Sequence, residues 1–378
     1  MKALTAARTR AARARAQGLG AERSASTADA VRRVVGLQAQ DVRACRLAVR
    51  VRTAGLVQSD VDAAVRARLV VRTWAMRGTL HMLAAEDLSW TVGLLGPYFA
   101  GGLAGRRRQL GLDEATCERG VAAVDAVLAE SGPLVRAELV RRIADRGVVL
   151  DPRSQAPAHL LAYAAMTGLV CRGPDADGDE PTYVRVADWV PPPPPVPPDE
   201  ALARLARRYL GGHGPAAAED FASWCGLPLG RCRAAFDGLA GEIEAVAVAG
   251  KRAFVLAGQD VAVPAGSRPE VRLLGHFDTY LLGYRSRELA VPREFDRRIQ
   301  AGGGFIMPAV LVDGRVVGTW RQTRRRDRVT VTVDPFDTLA RRVWTGVRAE
   351  VADLGRFLGA TGVVGDSWVP LRSHDLRT

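Results

Sequence analysis

Hydrophobic and polar positions along this chain follow two rhythms, a helical one and an alternating one, and the switch from the first to the second recurs three times. In the first cycle the spacing of Leu4, Ala7, Ala11, Ala14 and Leu19 predicts a helix over 3–18. Ser26-Thr27-Ala28-Asp29 and Ser59-Asp60 offer side-chain oxygens to free backbone N–H groups, so two more helices begin there. Leu69–Trp74 and Arg77–Leu83 then read as two strands joined by a tight turn. The second cycle gives helices over 113–130, 136–144 and 156–167, with a turn at Gly147. A strand over 168–172, a Gly/Asp-rich tip at 173–179 and a strand over 182–186 complete it. The third gives helices over 199–210, 217–224 and 228–239, a turn at Gly226, and strands at 242–248 and 252–257. Helices followed by a hairpin make the winged-helix pattern.

Two features divide the chain further. Pro191–Pro195, Val196, Pro197 and Pro198 predict a stiff polyproline spacer of about 3 Å per residue. A proline-rich ligand for another domain is the alternative, but a winged unit on each side favours the spacer. From about 260 the pattern turns to strands: Val271–Leu274 runs into Phe277–Tyr284, and Pro308–Val312 meets Arg315–Trp320 across Asp313-Gly314, a strong two-residue hairpin signal. Arg321, Arg324, Arg325, Arg326 and Arg328 follow that hairpin, ahead of a strand at 329–333. The fold class is therefore α+β. Three tandem winged-helix units occupy 1–110, 111–190 and 199–260, with a linker at 191–198 and a β-rich part with a basic hairpin over 261–378.

Composition changes this picture in three respects. With 378 residues, 48% of them hydrophobic, the chain has ample core for several domains. The net charge of +12 is almost all arginine, since Lys2 and Lys251 are the only lysines. Arginine's planar fork suits phosphate and guanine and points to nucleic acid, although a GC-rich genome would raise arginine as well. Arg315, Arg321, Arg324, Arg325, Arg326 and Arg328 are the candidate DNA contacts; a solvated strand connection is the alternative for this run. The five cysteines (Cys45, Cys117, Cys171, Cys225, Cys232) form no CxxC pair and predict buried free thiols in a reducing compartment. Arg8, Arg10, Arg13 and Arg15 resemble a transit peptide only superficially and fit a basic first helix. No apolar run reaches membrane-spanning length. From the free thiols a cytoplasmic protein, associated with the nucleoid, is expected.

The candidate chemistry lies at Gly36-Leu37-Gln38-Ala39-Gln40-Asp41. Gly36 is placed where a left-handed helix cap is expected, which puts the glutamines in extended chain. There, residues i and i+2 share one side, so the amides of Gln38 and Gln40 converge. Together they offer four N–H donors and two carbonyl acceptors, enough to hold a water or a sugar edge. Capping of nearby backbone is the bland alternative. Asp41, as an i+1 neighbour, points the other way. Trp74, Arg77 and His81 are candidates to line the surroundings of the glutamines, with core packing of Trp74 and a capped turn at Arg77-Gly78 as the alternatives. The histidines His81, His159, His213, His276 and His374 have no ligand spacing, Asp278 and Asp296 are isolated, and Gly302-Gly303-Gly304 precedes a strand and not a helix. No metal or cofactor is expected.

These segments resemble the AlkZ-type winged-helix DNA glycosylases. The likeness rests on Leu37–Asp41, Arg72–His81, Phe277–Tyr284 and Pro308–Trp320, spread over nearly the whole chain. It implies three winged helices and a C-terminal β-rich part around a C-shaped DNA channel. It also implies excision of N7- or N3-alkylated purines from double-stranded DNA, and in some members unhooking of bulky or interstrand-crosslinked adducts as self-resistance. The family's Gln-apolar-Gln catalytic motif falls on Gln38, Ala39 and Gln40. Members with an acidic second position form a broader-acting branch, so Gln40 places this chain nearer the crosslink-resistance members. Cationic purines leave without a general acid, so amides suffice to position water and stabilise the sugar cation. A strand-cutting bifunctional enzyme needs an amine nucleophile, and two lysines, one near a terminus, argue for a monofunctional one. A monomer needing no protein partner is expected. The rival is a non-catalytic winged-helix regulator, against which Ala156–Thr167 offers no arginine to read guanine, although Arg231 and Arg233 in the third unit do.

Overall fold

The computed structural model describes residues 1–191, 194–261 and 269–365; Pro192 and Pro193 of the predicted spacer, and His374, fall outside these. The chain opens on a strand, β1 (Lys2–Leu4), and not on helix. Thr5 caps the first helix through Arg8 N and so fixes its start at Ala6, giving α1 (Ala6–Ala16). Next come α2 (Thr27–Arg33), capped by Ser26, then β2 (Leu37–Gln38), α3 (Val42–Arg50), α4 (Gln58–Arg66), β3 (Val70–Trp74) and β4 (Leu80–Ala84). The helix α3, not expected from the sequence reading, spaces Arg43, Arg46 and Arg50 helically, with Arg46 and Arg50 buried against acidic partners. The helices α5 (Leu88–Gly102), apolar on all sides and containing Pro97, and α6 (Ala104–Gln109) give no amphipathic signal.

The second cycle holds α7 (Glu114–Ser131), β5 (Leu134–Val135), α8 (Arg136–Ala144), α9 (Ala156–Met166), β6 (Val170–Ala176), β7 (Glu180–Arg185) and α10 (Val186–Trp189). Its hairpin does not stand alone. Arg72 pairs with Arg172, joining both hairpins into one six-stranded sheet of order β2-β4-β3-β6-β7-β5. The third cycle holds α11 (Pro198–His213), α12 (Ala218–Cys225), α13 (Leu229–Asp237), β8 (Ile243–Val248) and β9 (Lys251–Leu256). Pro198 belongs to the helix and not the spacer, as suits a residue whose missing N–H is dispensable in a first turn. Strand β1 adds in parallel to β8, so the N-terminus completes the third hairpin's sheet.

The C-terminal part contains β10 (Val271–Leu274), α14 (Thr279–Leu282), α15 (Asp296–Ile299), β11 (Ala309–Val312), β12 (Arg315–Arg325), β13 (Arg328–Pro335), α16 (Arg341–Phe357) and β14 (Thr361–Val364). The expected strand over 277–284 is instead a helical turn: Phe277 turns left-handed and Asp278 Oδ1 accepts from Tyr280 N at 2.9 Å. Asp313 and Gly314 make the foreseen two-residue turn, with φ 49° and 75°. The arginines do not merely follow a hairpin; they form the distal half of β12 and the tip joining it to β13. The 17-residue α16, whose Val343, Val347, Val351 and Leu354 keep helical spacing, packs across this sheet.

Two cores meet at the first hairpin. Val71, Leu83 and Cys171 pack with Tyr209, Phe221 and Trp224 of the third cycle. On the opposite face Leu37, Ala39, Leu80 and Met82 pack with Val310, Trp320, Val347 and Leu354 of the C-terminal part. Each large aliphatic side chain among these contributes about 1.5–3 kcal/mol on burial, which anchors the segment that carries the glutamines. Among the described residues no helix is long and apolar enough to cross a membrane.

Candidate active site

The segment 36–41 is extended for reasons visible in its neighbours. The left-handed residue after α2 is Val35, at φ 68°, and not Gly36. Gly36 is required by space: a Cβ there would meet Met76 Cε at 2.8 Å and Leu83 Cδ2 at 2.9 Å. The chain thus crosses β4 closely and pairs with it, Leu37 with Met82 and Gln38 with His81, and Ala39 N donates to Leu80 O at 2.9 Å. Leu37 and Ala39 are buried at 0% and 3% exposure, so the residues between and after them must face the other way. Gln38 is half-buried and Gln40 exposed on that side, and Gln38 Nε2 donates to Gln40 Oε1 at 2.6 Å.

Arg77 completes the array. It lies in the turn between β3 and β4, left-handed at φ 57°, where a residue with a side chain is disfavoured. Two bonds hold it: Nη1 donates to Trp224 O at 2.6 Å and Nη2 to Gln38 Oε1 at 2.9 Å. Its backbone rests on Gly226, left-handed at φ 84°, where a Cβ would come within 2.9 Å of Arg77 Cα. A guanidinium has no acceptor, so Gln38 must present its oxygen to Arg77 and its nitrogen to Gln40. Gln40 in turn must accept with its oxygen, which leaves its two N–H donors unengaged among the described residues. The polarity of the whole chain is thereby set by Arg77, whose charge strengthens each bond down the line.

His81 stands beside Gln38 across the strand pair. Its Nδ1 lies 2.9 Å from Thr79 O and so carries the hydrogen, leaving Nε2 an acceptor. Burial, and then the Arg77 charge, push its pKa down to about 3, so it stays neutral and supplies no proton near neutral pH. Asp41 is the cap of α3: its Oδ1 accepts from Arg43 N at 2.8 Å and Ala44 N at 3.0 Å, which fixes where the extended segment ends. Trp74 does not join the glutamines. It is on the other face of the sheet, between two cores, with Arg172 over its ring at 5.5 Å. The array itself contains no acidic side chain, and among the described residues no cluster of His, Cys, Asp or Glu could hold a metal.

The helix that follows Gln40 is held from outside. Arg46, buried, reaches Asp179 at 2.5 Å and Asp62 at 2.8 Å, and Arg43 reaches Asp179 at 3.1 Å. The hydrogen bond from Arg46, followed by that from Arg43, holds the Asp179 carboxyl below its ordinary value. The acidic hairpin tip of the second cycle therefore grips α3 of the first. Neither partner of this clasp is marked by local spacing, and the same is true of Trp224 and Gly226 behind Arg77.

The arginine candidates separate into two places. Arg315 is exposed next to the Asp313-Gly314 turn, which packs on Arg10 and Tyr280. Arg325 lies at the other end of the same strand, roughly 33 Å away at the usual strand rise. Arg324, Arg325, Arg326 and Arg328 are exposed, and among the described residues none of them or Arg321 has an ion-pair partner. Several arginines elsewhere are consumed internally, as Arg50 is by Glu350 and Asp353 and Arg72 by Asp175. Arg325 and Arg328 even face each other across the strands, a like-charge pair that costs the fold stability. All five cysteines are buried and free, with burial pushing Cys45 and Cys171 up to about 12.

Comparison with known proteins gives the same direction. The sequence model of the family described as DNA glycosylase AlkZ-like matches residues 31–357. A curated relative, the interstrand DNA cross-link repair glycosylase of Streptomyces sahachiroi, is 32% identical over 357 residues, covering 89% of this chain and 92% of the relative. The solved structure of Streptomyces sahachiroi DNA glycosylase AlkZ superposes with a TM-score of 0.80 at 29% identity, over 97% of this chain and all of that one. With a match across most of its length to that family and to a relative above 30% identity, the chain belongs to the AlkZ-like DNA glycosylases.

Proposed function

We infer that this enzyme is a monofunctional glycosylase that hydrolyses the N-glycosidic bond of cationic N7- or N3-alkylated purines in double-stranded DNA, bulky and interstrand-crosslinked adducts included. The observation that carries the reading is the Arg77–Gln38–Gln40 chain, an oriented amide pair on an open face. An alkylated purine already bears positive charge, so its departure needs no proton. A water held by the spare lone pairs and unengaged N–H groups of Gln38 and Gln40 bonds to C1′. The electron pair of the C1′–N bond passes to the purine and cancels its charge, and the proton of the water goes to solvent. Amide dipoles already in place stabilise the sugar cation without reorganising. Neutral His81 adds an acceptor and no cationic charge.

Further features support the finer points. Lys2 and Lys251 are exposed on the three-stranded sheet of β1, β8 and β9, away from the sheet carrying Gln38, which supports a monofunctional reaction leaving an abasic site. The exposure of Gln40 favours an open channel over a closed pocket. We read the three helix-plus-hairpin cycles as winged helices over 1–110, 111–190 and 199–260, set with the 261–378 part around a C-shaped channel. The enzyme acts as a monomer in the cytoplasm, near the nucleoid. The cross-link repair named for the Streptomyces sahachiroi relative supports crosslinked adducts as substrates; a role in self-resistance to a crosslinking metabolite is our extension of that reading.

The test is incubation with a duplex bearing one N7-methylguanine and with a duplex carrying an N7-linked guanine crosslink, each followed by hot alkali. Strand breaks appearing only after alkali are expected on both. Breaks before alkali would replace the monofunctional reading, and no breaks on either would end the proposal.

The unpaired arginines give a separate expectation. Replacing Arg324, Arg325 and Arg326 with alanine is expected to weaken duplex binding and to lower the slope of log K against log salt by up to about 0.9 for each phosphate that the hairpin no longer neutralises. Relief of their mutual repulsion leaves folding intact or slightly improved. A salt titration of fluorescence anisotropy reads this directly; an unchanged slope together with unchanged excision makes the hairpin tip an idle surface.

A further inference from the structure

Three aromatic rings of the C-terminal part form a knot that neither the glutamine chain nor the arginine hairpin uses. Phe305 lies 4.9 Å from His276 at an interplanar angle of 62° and 4.9 Å from Phe277 at 76°, while His276 and Phe277 are 6.1 Å apart. Edge-to-face packing of this kind is favourable in itself. Yet Phe305 is 44% exposed, so part of a large apolar ring is kept in water. Single exposed apolar residues are ordinary, whereas a buttressed one is less so.

The backbone around the knot is unusual on both sides. Phe277 is left-handed at φ 57°, a strained setting for a bulky residue, and such strain persists only where the surroundings enforce it. Here Phe277 N and His276 Nδ1 both point at Ile306 O, at 3.4 and 3.1 Å. On the other strand of the knot, Phe305 N donates to Gly302 O at 2.9 Å and Ala301 N to Phe305 O at 3.1 Å, a tight loop with Phe305 at its edge. Gly302, Gly303 and Gly304 all have positive φ and empty space where a Cβ would be, so nothing on this loop obstructs a close approach to the ring. Nearby Arg297 is exposed and has no ion-pair partner among the described residues.

The knot is also tied to the glutamines. Gly275, directly before His276, packs on α3, where a Cβ would come within 3.2 Å of Leu47 Cβ and 3.5 Å of Ala44 O. Ala44 lies in the first turn of that helix, which begins straight after Gln40 and its neighbour Asp41. The loop that carries His276 and Phe277 is therefore packed on the helix that directly follows the amide pair.

We propose that Phe305, backed by His276 and Phe277, is a stacking platform for an unpaired nucleobase of the bound duplex. The proposal rests on the glycosylase reading given above. A base freed from its pair beside a lesion loses its neighbours in the stack, and every base has a π face that an aromatic ring can cover without regard to sequence. Rings are suited to a base and not to the phosphates, which the hairpin arginines serve. The glycine loop leaves room for the backbone of the strand that delivers the base.

The test uses the whole protein and a duplex carrying one unpaired 2-aminopurine, a probe that needs no excision. Wild type and Phe305→Trp are expected to bind this probe tightly and quench its fluorescence. Phe305→Leu and Phe305→Ala are expected to bind it about 10-fold more weakly and without quenching, the scale of one missing base stack, while affinity for the fully paired duplex is unchanged in all four. Leucine retains apolar bulk, so equal behaviour of leucine and wild type overturns the platform, as does equal weakening on probe and paired duplex. Excision of N7-methylguanine by wild type is measured alongside. If it occurs while quenching does not, the platform fails and the glycosylase reading stands; quenching without excision has the opposite meaning.

Discussion

Gln38→Ala and Gln40→Ala are each expected to lower single-turnover excision by about 10²-fold or more, the loss typical of removing one preorganised dipole, with DNA affinity nearly unchanged. Their effects on stability differ. Gln40 is exposed and among the described residues accepts only from Gln38, so its removal barely moves the melting temperature. Gln38 is half-buried and satisfies Arg77, so its removal costs roughly 1 kcal/mol. Gln40→Glu is expected to keep part of the activity on simple cationic adducts, because a carboxylate oxygen can accept from Gln38 Nε2 as the amide oxygen does and can also orient water. If the pair only ties down a loop, stability falls and the rate per folded molecule stays constant. Thermal melts and excision measured on the same preparations separate the two, and a double alanine variant working at full rate would end the glutamine mechanism.

The largest loss of stability is expected from Asp278→Asn. Arg52 Nη1 and Nη2 reach Asp278 at 2.8 and 2.7 Å, and both side chains are 0% exposed. Arg52 also donates to Ala48 O and Gln17 Oε1, so this ion pair joins the end of α3, the end of α1 and the turn before α14. Neutralising one partner leaves a buried cation uncompensated, a cost of about 3–5 kcal/mol. Replacing both residues with apolar ones, as in Arg52→Met with Asp278→Leu, is expected to recover much of it, since no charge then remains buried. Chemical unfolding of the single and double variants checks this. Equal stability of Asp278→Asn and wild type would mean that Arg52 finds another counter-charge. The pair also explains why Asp278 has no carboxylate partner in sequence: its role is structural and its partner is a cation 226 residues away.

How far the sequence reaches is clearest at the glutamines. Leu37 and Ala39 alternate with Gln38 and Gln40, and an extended chain with one buried side leaves no choice about where the amides go. That is a local consequence of the strand period, as the Asp313-Gly314 turn is a local consequence of left-handed backbone. Helix starts at Ser26 and Asp113 follow from local capping in the same way. Local signals misled where a neighbour's demand overrode them. Leu4 fits the spacing of α1 but is drawn into a sheet by β8, and Gly36 is small to admit Met76 and Leu83, not to turn the chain. What only the tertiary structure decided is the direction of the amides. Arg77 takes its position from Gly226 and from Trp224, 147 residues further on, and from there dictates which end of each glutamine accepts and which donates. The merging of two hairpins into one sheet, the clasp of Asp179 on Arg46 and the separation of Arg315 from the hairpin tip have the same origin. Periodicity reports how each short segment divides between water and core; which distant segment supplies that core, and which hydrogen-bond partner comes with it, is settled only when the chain closes on itself.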